Sequence, residues 1–161
     1  MYVQVSAKDR GGGVGMSSAK AVRLPCACAN LRRAARVATQ FYDGVLRPSG
    51  LRVAQFTLLQ ALKAAPGISQ RRLAELLGID STTLTRTLAF LDRKGWLRST
   101  TATDRRKLQL FLSPAGRREY TRVFPRWQSA QRRLRKALGA ANWEQVLKAS
   151  VLTAGVASRP D

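Results

Sequence analysis

The chain has 161 residues, with 29 Lys and Arg against 9 Asp and Glu, two cysteines and no histidine, for a formal net charge of +20. That length and an apolar content near the globular average exclude a fibrous or disordered protein and allow one compact core. The positive field calls for a polyanionic partner, nucleic acid or an anionic surface. The lack of histidine and of paired acids leaves little for an enzyme or a metal site to work with. Arginines interrupt every apolar run well short of the roughly 20 residues a membrane span needs. The first fifteen residues lack the apolar stretch of a secretory signal, so a cytoplasmic protein without a cofactor is expected.

Residues 1–23 combine Gly11, Gly12, Gly13, Gly15, Ser17 and Ser18 with no apolar period, and read as a flexible arm within which Met16 offers an alternative start. Order is expected from Pro25, a residue suited to a first helical turn. Leu31, Ala35, Ala38, Phe41, Tyr42 and Val45 then recur at helical spacing. Pro48, Ser49 and Gly50 break that helix. A second helix follows, with Val53, Phe56, Leu59 and Leu62 on one face, until Pro66 and Gly67.

The next stretch, ISQRRLAELLGIDSTTLTRTLAFLDRKGWL, reads as helix, tight turn, helix. Ser69 is suited to cap the first helix, Gly78 to make the turn, and Asp80 or Ser81 to cap the second. Leu84, Leu88 and Leu91 form the inward stripe of that second helix, leaving Ser81, Thr82, Thr83, Thr85 and Arg86 outward near its start. Past Gly95 the apolar period changes from helical to alternating. Leu97 to Thr101 and Leu108 to Leu112 are two arms of a β-hairpin with a basic tip at Thr103 to Lys107. Ser113 and Pro114 open a long helix through Tyr120, Phe124, Trp127 and Leu138, which Pro125 is placed to kink. Gly139 ends it, and Asn142 with Gln145 resembles a capping box for a last helix.

The fold class is therefore mainly α with a small β-hairpin wing: a winged helix-turn-helix whose N- and C-terminal helices form a dimerisation region. The expected divisions are an arm at 1–23, a first dimerisation helix at 24–47, the winged lobe at 48–113, C-terminal dimerisation helices at 114–155 and a tail at 156–161. Homodimerisation is expected because the first helix and the last two carry apolar faces too broad for the small winged core to cover.

This order of elements resembles the MarR (multiple-antibiotic-resistance regulator) family from about Pro25 to Leu152. The stretches that carry the resemblance are GLRVAQFTLLQAL, the helix-turn-helix segment above, and TDRRKLQLFLSPAGR in the wing. Asp104 and Arg106 match the family's wing D-x-R, while Lys107 stands where an acidic residue is frequent. The resemblance implies a homodimeric regulator, usually a repressor, on double-stranded DNA with an inverted-repeat operator. Thr82, Thr83, Thr85 and Arg86, with Ser81, are then expected at the major groove and Arg106 in the minor groove. Gln70, Arg71, Lys94, Arg98, Arg105 and Lys107 are expected at phosphates.

In the family, a ligand or an oxidant acts near the junction of dimer helices and DNA-binding lobe. Cys28 and Tyr42 fall where the organic-hydroperoxide-sensing branch keeps its reactive cysteine and a supporting tyrosine, although Arg32 and Val53 replace further tyrosines of that branch. A thiol near a helix start and close to Arg32 has the setting for thiolate character. The opposing reading makes Cys26 and Cys28 small packing residues. A small-molecule effector is the other route, in an apolar pocket lined by Phe41, Tyr42 and Phe56. A structural RNA-binding protein is the competing class, but it calls for aromatics on an exposed platform, and here they fall in helical apolar stripes.

Overall fold

A computed structural model describes residues 24–101 and 108–157. The arm at 1–23, the tail residues 158–161 and the wing tip, including Asp104, Arg105, Arg106 and Lys107, lie outside the described residues. In chain order the elements are α1 (Ala27–Leu46), a 3-10 turn (Arg47–Ser49), α2 (Val53–Ala64), β1 (Ile68–Ser69), α3 (Gln70–Leu77) and α4 (Ser81–Arg93). The strands β2 (Leu97–Thr101) and β3 (Leu108–Leu112) follow, then α5 (Pro114–Leu138) and α6 (Ala140–Ala157).

Several elements start where a short polar side chain satisfies a free backbone N–H. Ser69 Oγ accepts from Arg72 N, Asp80 Oδ1 from Thr83 N, and Ser113 Oγ from Gly116 N. At α2 the cap is borrowed: Asp43 of α1 accepts from Val53 N at 2.7 Å, which fixes the angle between the two helices. Gly78, at φ +61°, makes the turn between α3 and α4 in the left-handed region that side chains disfavour.

The three strands form an antiparallel sheet in the order β1-β3-β2, with Ile68 opposite Leu110 and Leu97 opposite Leu112. β1 is an addition to the expected hairpin. At two residues it is too short to display an alternation, and it exists because β3 has a free edge beside it. The helix starts also differ in detail from expectation. Pro25 precedes α1 rather than sitting in its first turn, and Asn30 clasps the entry by exchanging hydrogen bonds with Leu24. Asn142 is no cap for α6: the helix begins at Ala140, and the Asn142 amide donates back to Leu138 O at 2.9 Å. The chain turns at Gly139 without a loop, so the residues that would have formed a capping box already lie inside the helix.

The core lies under the winged lobe. Phe56, Leu58, Leu59 and Leu62 of α2, Leu73 of α3, Leu84, Leu88 and Leu91 of α4, Leu110 and Leu112 of β3 and Val123 of α5 are buried together. α2 is thus enclosed on more than the single face its apolar spacing suggests, because β3, α4 and α5 all pack on it. Phe56 stacks on Tyr120 at 5.5 Å between ring centroids and meets Trp127 at 6.0 Å. At the wing base α5 comes so close that a Cβ on Gly116 would collide with the Trp96 carbonyl oxygen, while Ser113 N donates to that same oxygen at 2.9 Å. Outside the lobe burial falls away: α1 buries only Leu46, and α6 buries no residue while exposing Val146, Leu147, Val151, Leu152 and Val156.

Candidate nucleic-acid interface

The period of leucines in STTLTRTLAFLDR decides the orientation of α4. Leu84, Leu88 and Leu91 are buried, so Ser81, Thr82, Thr83, Thr85 and Arg86 all remain exposed around its first turns. The start of the helix is held firmly. Thr83 donates to Asp80 through both its backbone N–H and its hydroxyl, at 2.9 and 2.7 Å, and these bonds hold the Asp80 carboxyl below the usual carboxylate range. Gln70, at the start of α3, reaches across the turn and donates from Nε2 to Thr85 Oγ1 at 2.9 Å. That link joins two residues whose side chains sequence spacing alone does not relate.

The cations around this surface are not equivalent. Arg71 and Arg72 both bond Glu75, at 3.0 and 3.3 Å, and their hydrogen bonds lower the Glu75 pKa. Arg71 is nonetheless almost fully exposed, and so fluctuating a surface pair gives up its partner readily. Lys94 lies over the Phe90 ring and Arg98 over the Phe111 ring, at 5.9 and 5.1 Å to the centroids. Arg86 is exposed with no ion pair among the described residues. The strands β2 and β3 project beside α4 toward the wing tip, so α4, Gln70 and Arg98 belong to one lobe with the hairpin.

A separate cleft of about 350 Å³ opens where α1, α2, α3 and α4 meet. Tyr42, Val53, Thr57, Leu77, Ile79, Thr83 and Thr87 line it. Partial burial raises the Tyr42 pKa, so its phenol stays protonated and able to donate. The other aromatics expected in this pocket sit elsewhere. Phe56 is fully buried in the core against Tyr120 and Trp127, and Phe41 turns toward α5, where Arg133 covers its ring. Phe41 still meets the Tyr42 ring edge-on, at 5.5 Å between centroids, but of the two only Tyr42 lines the cleft. Cys26 and Cys28 are exposed at the start of α1 beside Arg32 and Arg36. Fourteen helical residues, roughly 21 Å, separate Cys28 from Tyr42, so one subunit does not bring them together.

No group of three His, Cys, Asp or Glu side chains converges among the described residues. No helix among them is long and apolar enough to cross a membrane.

Comparison with known proteins agrees with this layout. Residues 49–107, the winged lobe from the turn before α2 to the wing tip, match the model of the MarR family. The Mycobacterium tuberculosis transcriptional regulator MosR, solved in complex with DNA, is 33% identical, with 82% of this chain and 96% of that one aligned at a TM-score of 0.73. The chain belongs to the MarR family. Its fold, mostly helical with a small antiparallel sheet, is the winged helix of that family. The transcriptional repressor CouR of Rhodococcus jostii RHA1, solved on a 23-mer DNA duplex, aligns over 89% of this chain and 99% of its own at 26% identity and a TM-score of 0.73. An HTH-type transcriptional regulator of Bacillus subtilis, YwoH, is 24% identical over 93 residues, covering 58% of this chain and 68% of its own. The MarR-family assignment makes this chain a transcriptional regulator. The matched segment holds most of the buried core, which Leu46, Leu110, Leu112 and Val123 complete from outside it.

Proposed function

We propose that this MarR-family chain is a cytoplasmic, sequence-specific DNA-binding repressor that grips an inverted-repeat operator as a homodimer and is released by a small ligand. The single observation that carries the reading is the exposed start of α4: Ser81, Thr82, Thr85 and Arg86 stand outward on a helix whose other face is locked into the core. Such a helix presents base-reading groups at a fixed angle without distorting its own fold. Arg86, with Ser81, Thr82, Thr83 and Thr85, is assigned to the major groove. Arg106, with Asp104 orienting it, is assigned to the minor groove, and Gln70, Arg71, Lys94, Arg98, Arg105 and Lys107 to phosphates. Dimerisation through α1, α5 and α6 is supported by the unburied apolar surface of α6. It places two copies of α4 about one DNA turn or a multiple apart.

The effector reading rests on the cleft beside Tyr42. Thr83 and Thr87 belong to both α4 and the cleft wall, so a molecule bound there touches the helix that reads DNA. A second reading, release by oxidation of Cys28, draws on the exposure of that thiol beside Arg32.

Selection of bound sequences from a random duplex pool tests the main reading. The expected result is an inverted-repeat consensus. Arg86→Ala changes base preference, and Arg106→Ala weakens binding on all sequences and flattens its salt dependence. Binding that ignores sequence, or preference for RNA over duplex DNA, would overturn it. Hydroperoxide treatment that leaves operator affinity unchanged with Cys28 titratable would retire the oxidant route. Thermal stabilisation by a ligand that persists in Cys28→Ser would favour the cleft.

A further inference from the structure

The threonines of α4 differ in what they have left to offer a ligand. Thr83 donates its hydroxyl proton to Asp80 Oδ2 at 2.7 Å, and Thr87 donates to Thr83 O at 3.0 Å. Both of these residues line the cleft beside Tyr42. Thr85 faces away from that cleft and is exposed, yet its hydroxyl is also occupied. It donates to Ser81 O at 2.7 Å and accepts from Gln70 Nε2 at 2.9 Å. Held by α4 on one side and by α3 on the other, the hydroxyl is turned back against the protein, and the methyl is the group left facing outward. Ser81 and Thr82 make no such side-chain bond among the described residues, so they keep a rotatable hydroxyl for polar contacts.

We infer that Thr85 reads a thymine in each half-operator through methyl-to-methyl contact, with Gln70 as the positioning residue that holds its hydroxyl out of the way. The inference rests on the DNA-binding reading above and deepens it by naming one base and the atom recognised. In the major groove thymine alone carries a 5-methyl group, and an apolar contact with it is a recognised mode of discrimination. The rotamer of Thr85 is fixed before binding, so little side-chain freedom is lost when the contact forms. An unanchored threonine would offer its hydroxyl to any base edge, and the bond to Ser81 O and the bond from Gln70 Nε2 remove that option.

The test uses the duplex recovered by selection, with each thymine in turn replaced by deoxyuridine, which removes only the methyl group. For the wild-type dimer, one position in each half-site is expected to lose about fourfold in affinity, the value of one buried methyl-sized group. Thr85→Ser, which keeps the hydroxyl and loses the methyl, is expected to bind the thymine and deoxyuridine duplexes equally. Thr85→Val, which keeps the methyl, is expected to retain the thymine sensitivity while losing affinity uniformly as Gln70 is released. Circular dichroism melting of both variants checks that each folds. If no thymine is sensitive, or Thr85→Ser remains as sensitive as wild type while duplex binding persists, the methyl contact is overturned and the DNA-binding reading survives. If no duplex is retained from the pool at all, the reading beneath it falls and takes the inference with it.

Discussion

Helices α4 and α6 solve opposite problems with similar means. α4 is 13 residues long, carries a strongly polar sequence, and still buries three leucines in the lobe core. α6 is 18 residues long, far more apolar, and buries none. Burial is therefore not set by how apolar a segment is but by whether the fold supplies a surface to meet it. α4 closes against α2, α3 and β2, whereas among the described residues α6 packs mainly on α5. The lobe buries its own core, whereas α6 leaves its apolar side chains uncovered among the described residues.

That contrast breaks most directly at the lobe core. Phe56→Ala removes a fully buried ring from between Tyr120 and Trp127, and is expected to cost about 3–5 kcal/mol in urea unfolding monitored by tryptophan fluorescence. A loss below about 1 kcal/mol would mean that the lobe does not hold itself together. Gly116→Ala comes next. Its methyl must displace the Trp96 carbonyl, and a cost of about 1–3 kcal/mol is expected by the same measurement.

Asp80→Ala gives a smaller change that depends on pH. The folded carboxyl sits below its ordinary value because Thr83 donates to it, so the charged form stabilises the native state. The advantage of wild type over Asp80→Ala is expected to be full above about pH 4 and to fade as pH falls through the lower folded value. Melting temperatures of both proteins across that range check the sign, and an advantage that grows toward acid would contradict it. The smallest effect on unfolding is expected in α6. Leu147→Glu with Val151→Glu should leave the unfolding free energy of the lobe within about 0.5 kcal/mol, because both side chains are exposed in the single chain. Sedimentation velocity should nonetheless show the dimer falling apart. A monomeric wild type, or a double variant that remains dimeric, would erase the contrast between the two regions.

Legibility followed the same divide. The helix-turn-helix was readable because its signals are local and redundant: Ser69, Gly78 and Asp80 punctuate the chain, and the leucine period of α4 leaves one orientation open. The hairpin arms were readable from the change of period. What escaped depends on partners distant in sequence. β1 exists because β3 is beside it, the Gln70 amide meets Thr85 across a turn, and Gly116 is required by a carbonyl 20 residues earlier. Aromatic residues near a junction suggest a pocket lining, which is why Phe41 and Phe56 are expected in the cleft. Only the packing of α5 decides that one faces Arg133 and the other the core. The end of α5 misled for a related reason, since Asn142 and Gln145 have the composition of a cap but the chain reverses three residues before them.

One junction has a mechanical corollary. β3 enters α5 with only Ser113 between them, and that residue is fastened to Gly95 O and Trp96 O while Arg117 holds Leu112 O. Strand and helix are consequently joined without slack, and the 25-residue α5, which runs on through Pro125, spans about 37 Å. A swing of about five degrees at its far end displaces the base of the wing by about 3 Å, close to the spacing of adjacent base pairs.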